Sequence, residues 1–185
     1  MIGLQPARDL PGQRPLPRGR PLQAQGLEGP AAGPFEFTSS VDASLWKDVE
    51  ALFYFHPRQR ELVDPIKACI DRFGVPEILR RGRRVYLGIP QNDAQCLFAC
   101  HRRRPGVPVG VVVYLRTSAD LLQILHLVVH PAYEQHGQRG QHAALGLTRQ
   151  LVGEVRALAR RIGGVRRVQL PYGRGACIRV PRPGD

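Results

Sequence analysis

Hydrophobic and polar positions follow no period from Met1 to Pro34, where Pro, Gly, Gln and Arg dominate. Stretches such as Leu10 to Pro21 cannot bury enough apolar surface to offset the entropy of ordering them, so a disordered tail is expected over residues 1–34. Pattern begins at Phe35. Phe35-Glu-Phe-Thr alternates with period two and predicts a short strand. Leu45, Val49, Leu52 and Phe53 then recur at helical spacing behind a cap at Asp42 or Ser44. Asp64-Pro65 opens a second helix with Ile66, Cys69, Ile70 and Phe73 on one stripe, and Gly74 closes it. The runs 84–89, 95–100, 109–115 and 122–129 predict strands, and the short polar connections between them predict an antiparallel meander. Near-continuous apolar character in the last two implies cover on both faces. A long helix is expected over 139–162, with Ala144, Leu147, Leu151, Val155, Leu158 and Ile162 facing inward and Gly163-Gly164 ending it. The runs 165–170 and 176–180 predict two further strands. Together these give an α/β (α+β) class: one domain over 35–185, with a mixed, largely antiparallel central sheet flanked by helices.

Composition narrows the picture. The 185 residues suit one domain and a tail, and 43% hydrophobic content supplies an ordinary core. Cys69, Cys96, Cys100 and Cys177 lack the dense spacing of a disulfide scaffold, which predicts reduced thiols and a cytoplasmic location. The longest apolar stretch, 121–129, falls far short of the roughly 20 residues that span a bilayer, and no apolar secretion region follows Met1. No membrane is expected. The formal charge of +12 comes from arginine, because Lys47 and Lys67 are the only lysines. Such a balance attracts polyanions, whether a phosphorylated cofactor, an acidic partner or nucleic acid, and it also suits a solvated basic surface.

The segment from Leu127 to Leu145 carries the most chemistry. An apolar strand ends in His130-Pro-Ala-Tyr133, a polar turn with Gly137 and Gly140 follows, and helical spacing resumes. A strand that feeds a helix through a glycine turn exposes backbone amides at the positive end of the helix dipole, where phosphate binds. Arg139 adds a charge-assisted donor. This segment resembles the acetyl-CoA signature of the GNAT superfamily of N-acetyltransferases. There the turn follows Gln/Arg-x-x-Gly-x-Gly/Ala. Gln135 matches the first position and Gly140 the last, while Gln138 stands at the central glycine and Gly137 one place earlier.

The resemblance implies a GNAT-like fold from Phe35 to about Leu170, with coenzyme A pyrophosphate held by Gln135, His136, Gly137, Gln138, Arg139, Gly140 and Gln141. It implies that backbone amides around Leu127, Val128 and Val129 face the thioester. Acetyl-CoA is then the cosubstrate and an amine the acceptor. Family members often carry an acid on that strand as base and a tyrosine beyond it as the acid for the leaving thiolate. His126 stands at the first place, with an unperturbed pKa suited to base work, and Tyr172 is the tyrosine available for the second. The bland reading of His126 is a hydrogen-bonded core residue, and that of Tyr133 is packing beneath the turn.

A metal site is not expected. His126 and His130, four apart on a strand, would lie about 13 Å from each other. Cys96 and Cys100 are better read as small buried hydrophobes than as zinc ligands. Two other classes remain open. A GNAT-like domain without catalysis would bind a protein partner, which the altered turn and the short C-terminus favour, and a strand-completing homodimer fits the same feature. Nucleic-acid binding through Arg80 to Arg84, His101 to Arg104, and Arg160 and Arg161 with Arg166 and Arg167 ranks below both, because few aromatics interleave with the arginines.

Overall fold

The structure, a computed structural model, describes residues 33–134, 140–171 and 176–181. Nearly all of the expected tail, and the turn residues Gln135 to Arg139, lie outside the described residues, as does Tyr172. Among the described residues, strand β1 (Phe35–Thr38) is followed by the short β2 (Val41–Asp42). Asp42 caps the next turn by accepting from Ser44 N at 3.0 Å, and helix α1 (Trp46–Tyr54) follows. A 3-10 turn over Pro57–Leu62 leads into α2 (Val63–Phe73), which stops where Gly74 takes φ 95°. Then come β3 (Glu77–Arg81), β4 (Arg84–Gly88), β5 (Gln95–His101), β6 (Pro108–Arg116) and β7 (Leu121–Val129). Helix α3 (Leu147–Arg161), β8 (Arg167–Gln169) and β9 (Cys177–Arg179) complete the order.

The main sheet runs β1-β5-β6-β7-β8-β9, antiparallel throughout except for the parallel pair β7 and β8, and a smaller sheet runs β2-β4-β3. Of the four runs expected to form a meander, β5, β6 and β7 do so, whereas β4 leaves it and pairs with β2 and β3 in the smaller sheet. The meander's apolar strands are covered on both faces, as their composition requires. On one face α3 sets Leu147, Leu151, Val155 and Ala159 against Val112, Tyr114, Leu122 and Ile124. On the other, Val49, Leu52 and Phe53 of α1 meet Phe98, Val111 and Val113. Cys96 and Cys100 are each 3% exposed, and burial pushes their thiols up to about 12 and about 11, so both behave as inert core atoms.

Three further expectations need correction. Helix α3 begins at Leu147, eight positions after Arg139. Residues 140–145 instead fold back as turns over Pro131 and Ala132, with His142 N donating to Ala132 O at 2.7 Å. Gly146, left-handed at φ 62°, separates that turn from the helix. The inward stripe of α3 includes Ala159, fully buried, rather than Leu158 and Ile162, which pack only partly. Strand β3 had no signal in the sequence, because Glu77-Ile-Leu-Arg-Arg81 buries Ile78 alone and draws its order from pairing with β4.

Candidate functional site

Strand β7 makes the site, through where its partners stop. Toward β6 it is paired along nearly its whole length, from Arg116 against Leu122 to Gly110 against Val129. Toward β8 it is paired only at Leu121, Gln123 and the residue between. The two parallel strands therefore separate after Gln123, and residues 124–129 present an edge without a neighbouring strand. Backbone direction along that edge follows from alternation. His130 N donates to Val109 O at 2.9 Å, which turns the even-numbered backbone groups toward β6. The N–H and C=O of Leu127 and Val129 then point the other way, into the gap. Consistent with this, His56 Nε2 donates to Val129 O at 2.9 Å from the gap side.

A shift of register between Val113 and Tyr114 inserts Leu125 as an extra residue in β7. Leu125 and His126 consequently both face the α1 and α2 side, where Leu125 packs with Ile89 and Leu115 and the His126 ring meets Phe53 edge-on at 5.9 Å.

The gap opens into a cleft of about 1150 Å³. Its walls come from both faces of the sheet. Phe53, Ile66 and Ile70 line it from α1 and α2, Thr148 and Val152 line it from α3, and 126–129 of β7 run between them. Leu170 and Pro171 close the side beyond β8. The cleft therefore passes through the sheet, and two molecules entering from opposite faces would meet beside Leu127. Among the described residues no side chain caps α3, and Thr148 in its first turn lines the cleft, so the positive end of that helix dipole lies beside it.

Polar groups at one end of the cleft form a small cluster. His56 and His130 each precede a proline, and each ring Nδ1 accepts the amide two residues on, Arg58 N at 3.3 Å and Ala132 N at 3.2 Å. With Nδ1 accepting, the His56 Nε2 carries the proton it donates to Val129 O, and the Glu134 carboxylate stands 3.4 Å from the same nitrogen. Arg58 Nη1 lies 3.7 Å from Glu134. Partial burial and the neighbouring His56 hold the His130 ring below the usual histidine range.

His126 lies in the wall of the cleft, as the sequence placed it, but it is only 4% exposed and burial pulls its pKa down to about 4. It is neutral across the working range of pH, and its basicity is low for accepting a proton from an amine. Tyr133 is buried, its ring 5.7 Å from that of Phe35 and 4.8 Å from that of His142, while the turn it was expected to underlie lies outside the described residues. Gln135, His136, Gly137, Gln138, Arg139 and Tyr172 lie outside the described residues. The Gly140 amide donates to Glu134 O at 3.3 Å, so it holds the turn together. The sequence reading missed His56, Arg58 and Glu134. The repeated His-Pro step, at His56-Pro57 and His130-Pro131, was the available signal. No cluster with metal-binding composition occurs among the described residues.

No protein-family model matches the chain, and no curated protein matches it. Solved structures do share its course. An acetyltransferase from Streptococcus agalactiae is 16% identical at a TM-score of 0.42, covering 74% of this chain and 72% of its own. A GNAT family acetyltransferase from Elizabethkingia anophelis with acetyl-CoA bound is 11% identical at 0.40, covering 74% and 64%. Nourseothricin acetyltransferase is 17% identical at 0.40, covering 74% and 72%. The likeness is one of fold and loose, and it carries no chemistry to this chain.

Proposed function

We propose that the protein is an acyl-CoA-dependent N-acyltransferase whose donor lies along the free edge of β7. The observation that carries this is the through-sheet cleft, with the Leu127 and Val129 backbone turned into it. The pantetheine arm of coenzyme A contains two amides and extends like a strand. Such an arm completes an unpaired edge by main-chain hydrogen bonds. The start of α3, uncapped by a side chain among the described residues, suits the phosphates. Donors fixed at the edge then polarise the thioester carbonyl as its oxygen gains charge. The acceptor amine approaches from the opposite face, attacks the carbonyl carbon, and coenzyme A leaves as the thiol.

Glu134 is the carboxylate in the wall of this cleft among the described residues, and we assign it the removal of the amine proton in place of His126. His56 positions it.

Calorimetry tests the donor site. Coenzyme A is expected to bind saturably at one site. Val152→Trp, which fills the passage between α3 and β7, should lose that binding while keeping its thermal midpoint. Glu134→Gln should keep coenzyme A affinity and lose transfer to an amine by about a hundredfold, the scale of a general base. Failure of the intact protein to bind coenzyme A would sink the reading.

A further inference from the structure

Helix α2 is amphipathic, yet none of its residues is buried. One part of its apolar side, Cys69 and Phe73, packs against Ile89, Leu115 and Leu125. Ile66 and Ile70, with Leu62 and Val63 just before them, line the cleft instead, opposite Val128 and Val129. At its far side Tyr54 donates to Pro76 O at 2.9 Å, which fastens the end of α1 beneath the segment that follows α2. Val63 and Val75, at the rim, are 56% and 52% exposed. An apolar helix face lining one part of the cleft of about 1150 Å³ is a wall suited to an apolar occupant, because water there gains few hydrogen bonds.

Taking the proposed donor site as given, we infer that this space receives an aliphatic acyl chain, so that the preferred donor is a medium-chain acyl-CoA and not acetyl-CoA. Two charge observations decide between a chain on the donor and a chain on the acceptor. Among the described residues the cleft wall carries two fixed cations, Arg58 (also paired with Glu61) and Lys67, against one carboxylate, Glu134, which Arg58 and His56 already contact. That balance favours a chain carried on a polyanionic thioester over one carried on an alkylammonium. The chain also has a direct path. The gap after Gln123 leads from the Leu127 edge toward Ile66 and Ile70 without crossing a packed layer.

The test compares coenzyme A, acetyl-CoA and octanoyl-CoA by calorimetry on the intact chain, with sodium decanoate and dodecylamine as probes that lack the nucleotide. Complete burial of a methylene strengthens binding by about fourfold. Octanoyl-CoA is expected to bind about a hundredfold more tightly than acetyl-CoA, and decanoate more tightly than dodecylamine. Ile66→Trp and Ile70→Trp fill the space without entering a core. Each should bring octanoyl-CoA down to the acetyl-CoA affinity and leave coenzyme A unchanged, and Ile70→Ser should weaken octanoyl-CoA by several fold. If coenzyme A binds and chain length makes no difference, the inference is overturned and the donor reading stands. If coenzyme A does not bind but decanoate does, and Ile70→Trp abolishes it, the donor reading falls while the chain site is supported. Tighter binding of dodecylamine than decanoate would overturn the assignment of the chain to the donor.

Discussion

Gly140→Ala is expected to cost about 3 kcal/mol or more of folding stability, a fall in thermal midpoint of about 10 °C for a domain of this size. A methyl group there would lie 2.4 Å from Pro131 O and 2.5 Å from Ala132 C and O, all backbone atoms of one tight turn. None can move alone. Pro131 and Ala132 begin the 3-10 turn that His130 caps, and His142 N is bonded back to Ala132 O. Separating the two segments would break that bond, stretch the one from Gly140 N to Glu134 O, and draw Tyr133 from its place against Phe35 and His142. Differential scanning calorimetry without any ligand measures the effect. A midpoint within a degree or two of the parent protein would mean that the glycine serves close approach by a ligand instead.

The second large effect is acid lability through His126. The unfolded chain takes up a proton at this ring near pH 6.5, and the folded chain resists it until about pH 4 because burial disfavours the cation. The unfolded state therefore binds more protons between those values. Folding stability is at full strength above about pH 6.5 and is lost as pH falls toward 4, by on the order of 3 kcal/mol from this group. The exposed Asp42 and Asp120, held below the usual carboxylate range by Ser44 and Ser118 with Arg167, shift stability in the same direction at lower pH. His126→Leu isolates the histidine. Urea unfolding at pH 7 and at pH 4.5 should show the parent protein losing markedly more stability than the variant. Equal losses would show that the ring protonates freely in the folded state.

His126 also shows where sequence reasoning reaches its limit. Its place in β7 was legible from the apolar run around it, and so was its position beside the predicted donor site. Its charge state was not, because burial depends on Phe53 arriving from a helix some seventy positions earlier, a contact no local pattern records. Local signals did well wherever one element decides its own fate. Asp42 caps, Gly74 stops α2, and the meander of β5, β6 and β7 follows from apolar runs and short polar connections.

The start of α3 was misjudged for a related reason. Helical spacing continues backward through Ala143 and Ala144, but bonds to Ala132 and the left-handed Gly146 hold those residues in turns. Tertiary bonds outweighed a weak local preference. The stripe on α2 is apolar as its spacing predicts, but period does not show what faces it: Cys69 and Phe73 pack on Ile89, Leu115 and Leu125, while Ile66 and Ile70 line the cleft. Glu134 is an ordinary polar residue in sequence, and only the fold brings it to His56 and Arg58.

Amide hydrogen exchange along β7, with and without saturating coenzyme A, tests the central claim most directly. Alternation makes the strand its own control, because the His126 and Val128 amides are already engaged with β6 while those of Leu127 and Val129 face the gap. Coenzyme A is expected to slow exchange at Leu127 and Val129 by at least about tenfold and to leave His126 and Val128 nearly unchanged. Saturation that leaves the Leu127 and Val129 amides as fast as before, or protects a different surface, would contradict a donor paired to this edge.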